Sequence, residues 1–261
     1  MPRGPRRLPL RFLKGLARRV LRRMHRWLAS LALVAMAGAA QAQMIVAAQY
    51  AEPTSRYAHN VLGDSAEWGA LVLTVADCVE CGQPNARKVT IRLDVSRVFE
   101  DLEPRLITTP DGKVLVMVVE TQKDTGARLS LYDEDGLYAA TPHIGRTNRW
   151  LAPIGAADID GDGTLEIAYV DRPHLAKTIR IWKLQGDALI HAADLPGYTN
   201  HRIGEDTIAG GIRNCGGTPE LIVADARWQN IMAVTWTNGK FNARPLGPHK
   251  NRRSFAQAMA C

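Results

Sequence analysis

Four runs of apolar residues recur along the chain, and each ends in an acidic residue: Ala70–Asp77, Lys113–Glu120, Leu165–Asp171 and Pro219–Asp225. The terminal acids are 43, 51 and 54 residues apart. A second run follows each after a short loop: Val89–Asp94, Arg128–Asp133, Thr178–Leu184 and Ile231–Trp236. These second runs alternate apolar and polar positions, with Ile179 and Ile181 set against Arg180 and Lys183. That period of two marks a strand with one wet face. Asp135-Gly136, Gly186-Asp187 and Asn238-Gly239 then supply hairpin turns. Third strands are expected at Leu137–Thr141, Ala188–Asp194 and Phe241–Leu246. Helical periodicity is nearly absent after residue 43, and the basic stretch Lys250–Arg253 reads as a solvated charge run.

With an inner strand before each buried run, the pattern makes about four strands per repeat. Repeats of this length, each a four-stranded antiparallel meander, predict an all-β chain folded as a β-propeller. One meander cannot bury both faces alone, whereas neighbouring sheets packed face to face can. The repeats fall at about 55–100, 101–145, 146–197 and 198–247, within a single domain at 43–261. Its 219 residues fit four blades, with five as the alternative count and a two-sheet sandwich as the competing fold. Met44–Tyr50 is expected to close the ring by joining the last blade.

The segment preceding residue 43 has a different character. Residues 24–42 run from a short basic stretch through an apolar core (Trp27–Ala37) to Ala40-Gln41-Ala42. That is the order of a secretory signal peptide, with cleavage expected between Ala42 and Gln43. The apolar core is well short of the roughly 20 residues that span a bilayer. Residues 1–23 make an unusually long, arginine-rich lead. A true start at Met24 or a twin-arginine export signal would account for it. The net charge of +7 is misleading, because ten basic and no acidic residues lie in 1–42, leaving about −3 on residues 43–261. Nothing in that balance argues for nucleic-acid binding. No later segment reads as a transmembrane helix.

Export places the four cysteines, Cys78, Cys81, Cys215 and Cys261, in an oxidising compartment, where an even number suggests two disulfides in any of three connectivities. Cys78 and Cys81 sit between strand-like runs with Gly82 and Pro84 after them, so a loop clip is favoured over a redox pair at a helix N-terminus. A bond from Cys261 to Cys215 would pin the C-terminal tail.

One motif carries sharp chemistry. In Asp158-Ile159-Asp160-Gly161-Asp162-Gly163-Thr164-Leu165-Glu166, carboxylates recur at alternate positions among glycines that let the backbone curl. Converging hard oxygens are what Ca²⁺ requires, at about six to eight ligands. The expected ligands of this single site are Asp158, Asp160, Asp162 and Glu166 with the carbonyl of Thr164. An EF-hand is excluded: its twelfth position would be Tyr169, and a strand follows where a helix is needed.

Asp158–Val170 resembles the FG-GAP or VCBS repeat of integrin-α-like propellers, whose D-x-D-x-D-G-x-x-D calcium loop it follows except for Glu166 in place of the last Asp. The other repeats have decayed. The first retains Asp64 and Gly69, the second Asp111-Gly112, and the fourth has Arg213-Asn214-Cys215-Gly216-Gly217. A Cys215–Cys261 bond would there replace the metal as the loop's restraint. The resemblance is to small secreted bacterial proteins, and implies a calcium-stabilised binding module in the periplasm or outside the cell. Its ligand would be a protein or a glycan.

No G-x-S-x-G, H-E-x-x-H or phosphate-cradling glycine loop is present, and no catalytic residue is assigned. His59, His143, His174, His191, His201 and His249 are far apart in sequence. Trp68, Trp150, Trp182, Trp228 and Trp236 recur near strands and suit packing between blades, or a sugar-stacking platform. Arg146, Arg149, Arg202 and Arg213 could line the axis as an anion patch. The alternative to a binding module is an exported polysaccharide lyase or phosphoesterase with its site at the axis.

Overall fold

The computed structural model describes residues 43–63, 66–76 and 86–261, together with Met1. The leader, Asp64, Cys78 and Cys81 lie outside the described residues. Gln43–Cys261 forms one compact unit. It is all-β, with antiparallel pairing throughout and one short helix among the described residues. No described helix is long and apolar enough to cross a membrane.

The first layer holds β1 (Met44–Thr54), β2 (Glu67–Ala76) and β3 (Arg87–Arg92), with β2 in the centre. β4 (Arg97–Phe99) pairs with both β2 and β6 (Val114–Gln122), and so joins this layer to the next. β5 (Arg105–Thr108) runs beside β6, followed outward by β7 (Gly126–Asp133) and β8 (Gly136–Ala140). The third layer is β9 (Leu151–Ala157), β10 (Glu166–Asp171), β11 (Thr178–Gln185) and β12 (Ala188–Pro196), in chain order. In the fourth, β13 (Tyr198–Thr199) and β14 (Gly211–Asn214) share one edge of β15 (Pro219–Asp225). β16 (Asn230–Thr237) and β17 (Lys240–Pro248) follow.

The four apolar runs are thus central strands of their layers, and the reason is burial on both faces. Successive side chains on a strand point to opposite sides. On β6, Val116 and Val118 join a core with Leu71 and Leu73 of β2. Leu115, Met117 and Val119 join a different core with Leu151 and Ile167 of the third layer. β10 divides likewise: Ile167 and Tyr169 face that core, while Ala168 and Val170 face Leu221 and Val223 of β15. Each fully buried Leu, Val or Ile contributes roughly 1.5–3 kcal/mol.

Two expectations are corrected. β1 pairs with β2 along its whole length, from Met44↔Ala76 to Thr54↔Glu67, and does not join the last sheet. β3 pairs on the other side of β2, and β1 supplies the partner for the edge that would otherwise stand open. The charge run at Lys250–Arg253 opens a helix, α1 (Arg252–Met259). Asn251 caps its N-terminus in a reciprocal pair with Ser254, which satisfies N–H groups a helix start leaves open. Phe255 and Ala258 then cover Ile222, Ala224, Ile231 and Ala233, the outer face of the fourth layer. A helix, not a sheet, closes this end, and no closed barrel or ring is present among the described residues.

An eight-residue helix is marginal alone, and this one is fastened beyond its own end. Cys261 is bonded to Cys215 of the β14–β15 loop, with Cα atoms 5.4 Å apart across 46 residues. Closing a loop of that length is worth about 4 kcal/mol. Replacing both cysteines by serine is expected to lower the urea midpoint and to unprotect α1 amides in hydrogen exchange before those of β10. The terminal acid Glu120 is fully buried and accepts hydrogen bonds from Arg97, Arg128, Ser130 and Tyr132. Burial raises its pKa, but the Arg128 charge and these hydrogen bonds outweigh that and hold it below the usual range. Glu120→Ala takes the carboxylate from Arg128, while Arg97 keeps Asp94, and a loss of about 3 kcal/mol is expected in denaturant titration.

Candidate metal site

The acidic loop lies between β9 and β10, whose last and first residues, Ala157 and Glu166, are paired. Two apolar residues fix its course. Ile159 is fully buried in the core between the third and fourth layers, and Leu165 enters the core on the other side of β10. Between them the backbone turns through Gly161 (φ 80°) and Gly163 (φ 84°), a left-handed conformation that glycine adopts without penalty. Asp158 accepts from the Gly161 and Gly163 N–H groups at 2.8 and 3.0 Å. Asp162 accepts from Thr164 N–H at 2.8 Å. Glu166 reaches back under the loop to accept from Ile159 N–H at 2.6 Å.

This folding brings one carboxylate oxygen each of Asp158, Asp160 and Glu166 to within 4.8 Å of one another. Three of the expected ligands therefore converge. Asp162 stands outside this group, and Thr164 lies at the loop's end. An all-oxygen donor set of this kind can hold a hard metal ion. Glu166 Oε1 is buried and accepts no hydrogen bond; its nearest cation is the Lys183 ammonium at 3.2 Å. Burial raises the Glu166 pKa, and the Asp160 charge adds to it, against the Ile159 hydrogen bond and the nearby Lys183 ammonium. Burial thus favours any positive charge placed beside this carboxylate.

A side chain missed in the sequence supplies part of that charge. Lys183 on β11 pairs in register with Glu166. Its Nζ lies 2.8 Å from Asp160 Oδ2 and 3.2 Å from Glu166 Oε1, and it also donates to Asp162. The Lys183 and Thr164 hydrogen bonds hold the Asp162 pKa at about 2. Burial works against the ammonium, yet its hydrogen bonds to Asp160 and Asp162 and the Glu166 charge keep it charged well above the ordinary range. Lys183 was read as a wet-face residue with Arg180. It instead extends the row of Ile179 and Ile181, toward Trp236, whose ring centroid is 5.5 Å from Nζ.

Among the described residues, the other layers carry no such cluster. In the fourth layer Glu220 accepts from Arg213 at 2.8 Å and Arg244 at 2.6 Å. The loop that precedes it is held by the Cys215–Cys261 bond. In the second, Asp111 is bonded to the Thr109 hydroxyl in a tight turn. Of the four arginines expected at an axis, Arg213 is bound to Glu220, and Arg202 lies over the Trp228 ring at 4.3 Å. The tryptophans pack as expected, with Trp150 buried and donating to Glu100 O at 2.8 Å and Trp182 donating to Tyr169.

Neither a protein-family model nor a curated protein matches the chain.

Loops outside the metal site bring together histidines that sequence spacing keeps apart. His174 and His201, 27 residues apart, meet Nε2 to Nδ1 at 3.0 Å. His201 Nε2 faces the Glu205 carbonyl at 2.9 Å, so it carries the proton, and His174 Nε2–H donates to the bare His201 Nδ1. His59 Nδ1 lies 2.6 Å from the buried Glu100 carboxylate. Burial first, then the nearby His201, push the His174 pKa down to about 4. Its folded value lies below the unfolded value of about 6.5. The neutral pair therefore stabilises the fold fully above that pH, and the contribution is lost as pH falls toward 4. The urea midpoint is expected to drop between pH 6.5 and 5. His174→Gln, which keeps a donor but cannot titrate, should flatten that drop; an equal drop in the variant would contradict the assignment.

Proposed function

We propose that this chain is an exported β-propeller-type module of FG-GAP or VCBS kind, in which one Ca²⁺ bound by Asp158, Asp160, Asp162, Glu166 and the Thr164 carbonyl fastens the third blade. The module binds a protein or glycan partner and does no chemistry at the metal. The observation that carries this reading is the convergence of the buried Glu166 carboxylate, whose Oε1 accepts no hydrogen bond, with Asp158 and Asp160. The stacked antiparallel layers support a propeller-type arrangement, built as an open series of blades capped by α1. Export is supported by the Cys215–Cys261 bond, which belongs to oxidising compartments, and by the signal-like order of residues 24–42.

In this reading the metal's role is structural. An ion that binds only the folded chain stabilises it by about 2.7 kcal/mol at a hundredfold excess over Kd. For a unit of this size that is roughly 5–10 °C in melting temperature. Adding Ca²⁺ to chelator-stripped protein is expected to produce that rise, EDTA to reverse it, and Asp160→Ala to abolish it. A melting temperature indifferent to Ca²⁺ would contradict the reading.

The pairing of His59 with the buried Glu100 favours a second reading, an enzyme acting on glycans or phosphoesters, because an imidazole held by a carboxylate suits general-base work. Sustained turnover by purified protein on such substrates, lost in His59→Gln, would establish it in place of the first.

A further inference from the structure

The geometry points to Lys183 as a built-in competitor for the cation: its ammonium occupies the cluster of Asp160, Asp162 and Glu166, and a divalent ion enters only as that ammonium leaves. The inference rests on the metal reading above and adds how the site is regulated.

Three observations carry it. First, the same oxygens serve both cations. Lys183 Nζ is 2.8 Å from Asp160 Oδ2 and 3.2 Å from Glu166 Oε1. Asp160 and Glu166 also belong to the group that converges within 4.8 Å. A divalent ion needs those oxygens at about 2.3–2.6 Å, and an ammonium beside it would be repelled at close range. Second, one ammonium is shared by three carboxylates, so it neutralises only part of their charge. The fourth layer shows the contrast, since Glu220 alone holds two guanidinium groups there. Glu166 Oε1 correspondingly has no hydrogen bond despite the nearby Nζ. Third, the displaced ammonium has a place to go. Trp236 presents its ring 5.5 Å from Nζ, and the face of an indole attracts a cation. Lys183 is only partly buried, so solvent is a second destination.

Two consequences follow. With the ammonium in place the loop keeps its shape without metal, and the metal's net affinity is lowered by the cost of expelling Lys183. The site would then sense Ca²⁺ concentration, filling where calcium is plentiful and reverting to an internal ion pair where it is scarce.

Calorimetric titration of Ca²⁺ into the wild type, Lys183→Met and Lys183→Gln tests this. Both variants are expected to bind at least tenfold more tightly, and Lys183→Arg, which keeps the charge, is not. Equal affinities in the wild type and the neutral variants would overturn the competition while leaving the metal reading standing. If no protein binds up to roughly 10 mM, above the weakest calcium modules, the metal reading itself falls. A wild-type measurement covers the case of misfolded variants: acylation of Lys183, mapped by mass spectrometry, should rise when Ca²⁺ is added. Unchanged or reduced labelling would overturn the displacement.

Discussion

Burial of the central strands on both faces is the constraint from which the rest of the structure follows. β6, β10 and β15 each send alternate side chains into two different cores. A strand of that kind cannot be stable at the edge of a molecule. It requires a layer on each side, which forces the sheets into a series and raises the question of what covers the final face. Here Phe255 and Ala258 of α1 do so, held by a capping pair at one end and a disulfide at the other. The polar ends of the same strands need charge partners as they emerge, and the acidic loop and Glu120 are two solutions to that need.

Those solutions differ in how completely charge is matched. Glu120 receives two arginines, a serine and a tyrosine, and Glu220 receives two arginines. The cluster at Asp158–Glu166 receives one lysine. Deep in a protein an unmatched carboxylate is costly, so the difference singles out this loop as the place where an outside cation has most to contribute. The β14–β15 loop of the fourth layer is held by a covalent route.

The strands were legible because period-two alternation and continuous apolar runs leave a direct mark on the chain, and the turns at Asp135-Gly136 and Asn238-Gly239 confirm the mark. The helix was not, because its apolar face is only two or three residues deep and begins inside a basic stretch; the Asn251 and Ser254 pair was the available signal. The partner of β1 depended on which edge stood open, something local pattern does not encode. Of the candidate metal site, the three converging carboxylates, Asp158, Asp160 and Glu166, were legible from spacing alone. Lys183 was not, because its role depends on lying opposite Glu166 across two strands. The meeting of His174 with His201 left no trace in sequence, since it depends on two loops from different layers.

Terbium luminescence tests the central claim most directly, because Tb³⁺ takes the oxygen sites of Ca²⁺ and is sensitised by a nearby indole. Trp236 stands beside the cluster through Lys183. One equivalent of Tb³⁺ should give tryptophan-excited emission that is absent in Trp236→Phe and displaced by Ca²⁺. Emission that is absent in the wild type, or indifferent to Ca²⁺, would mean that the acidic loop is an internal ion pair and no metal site.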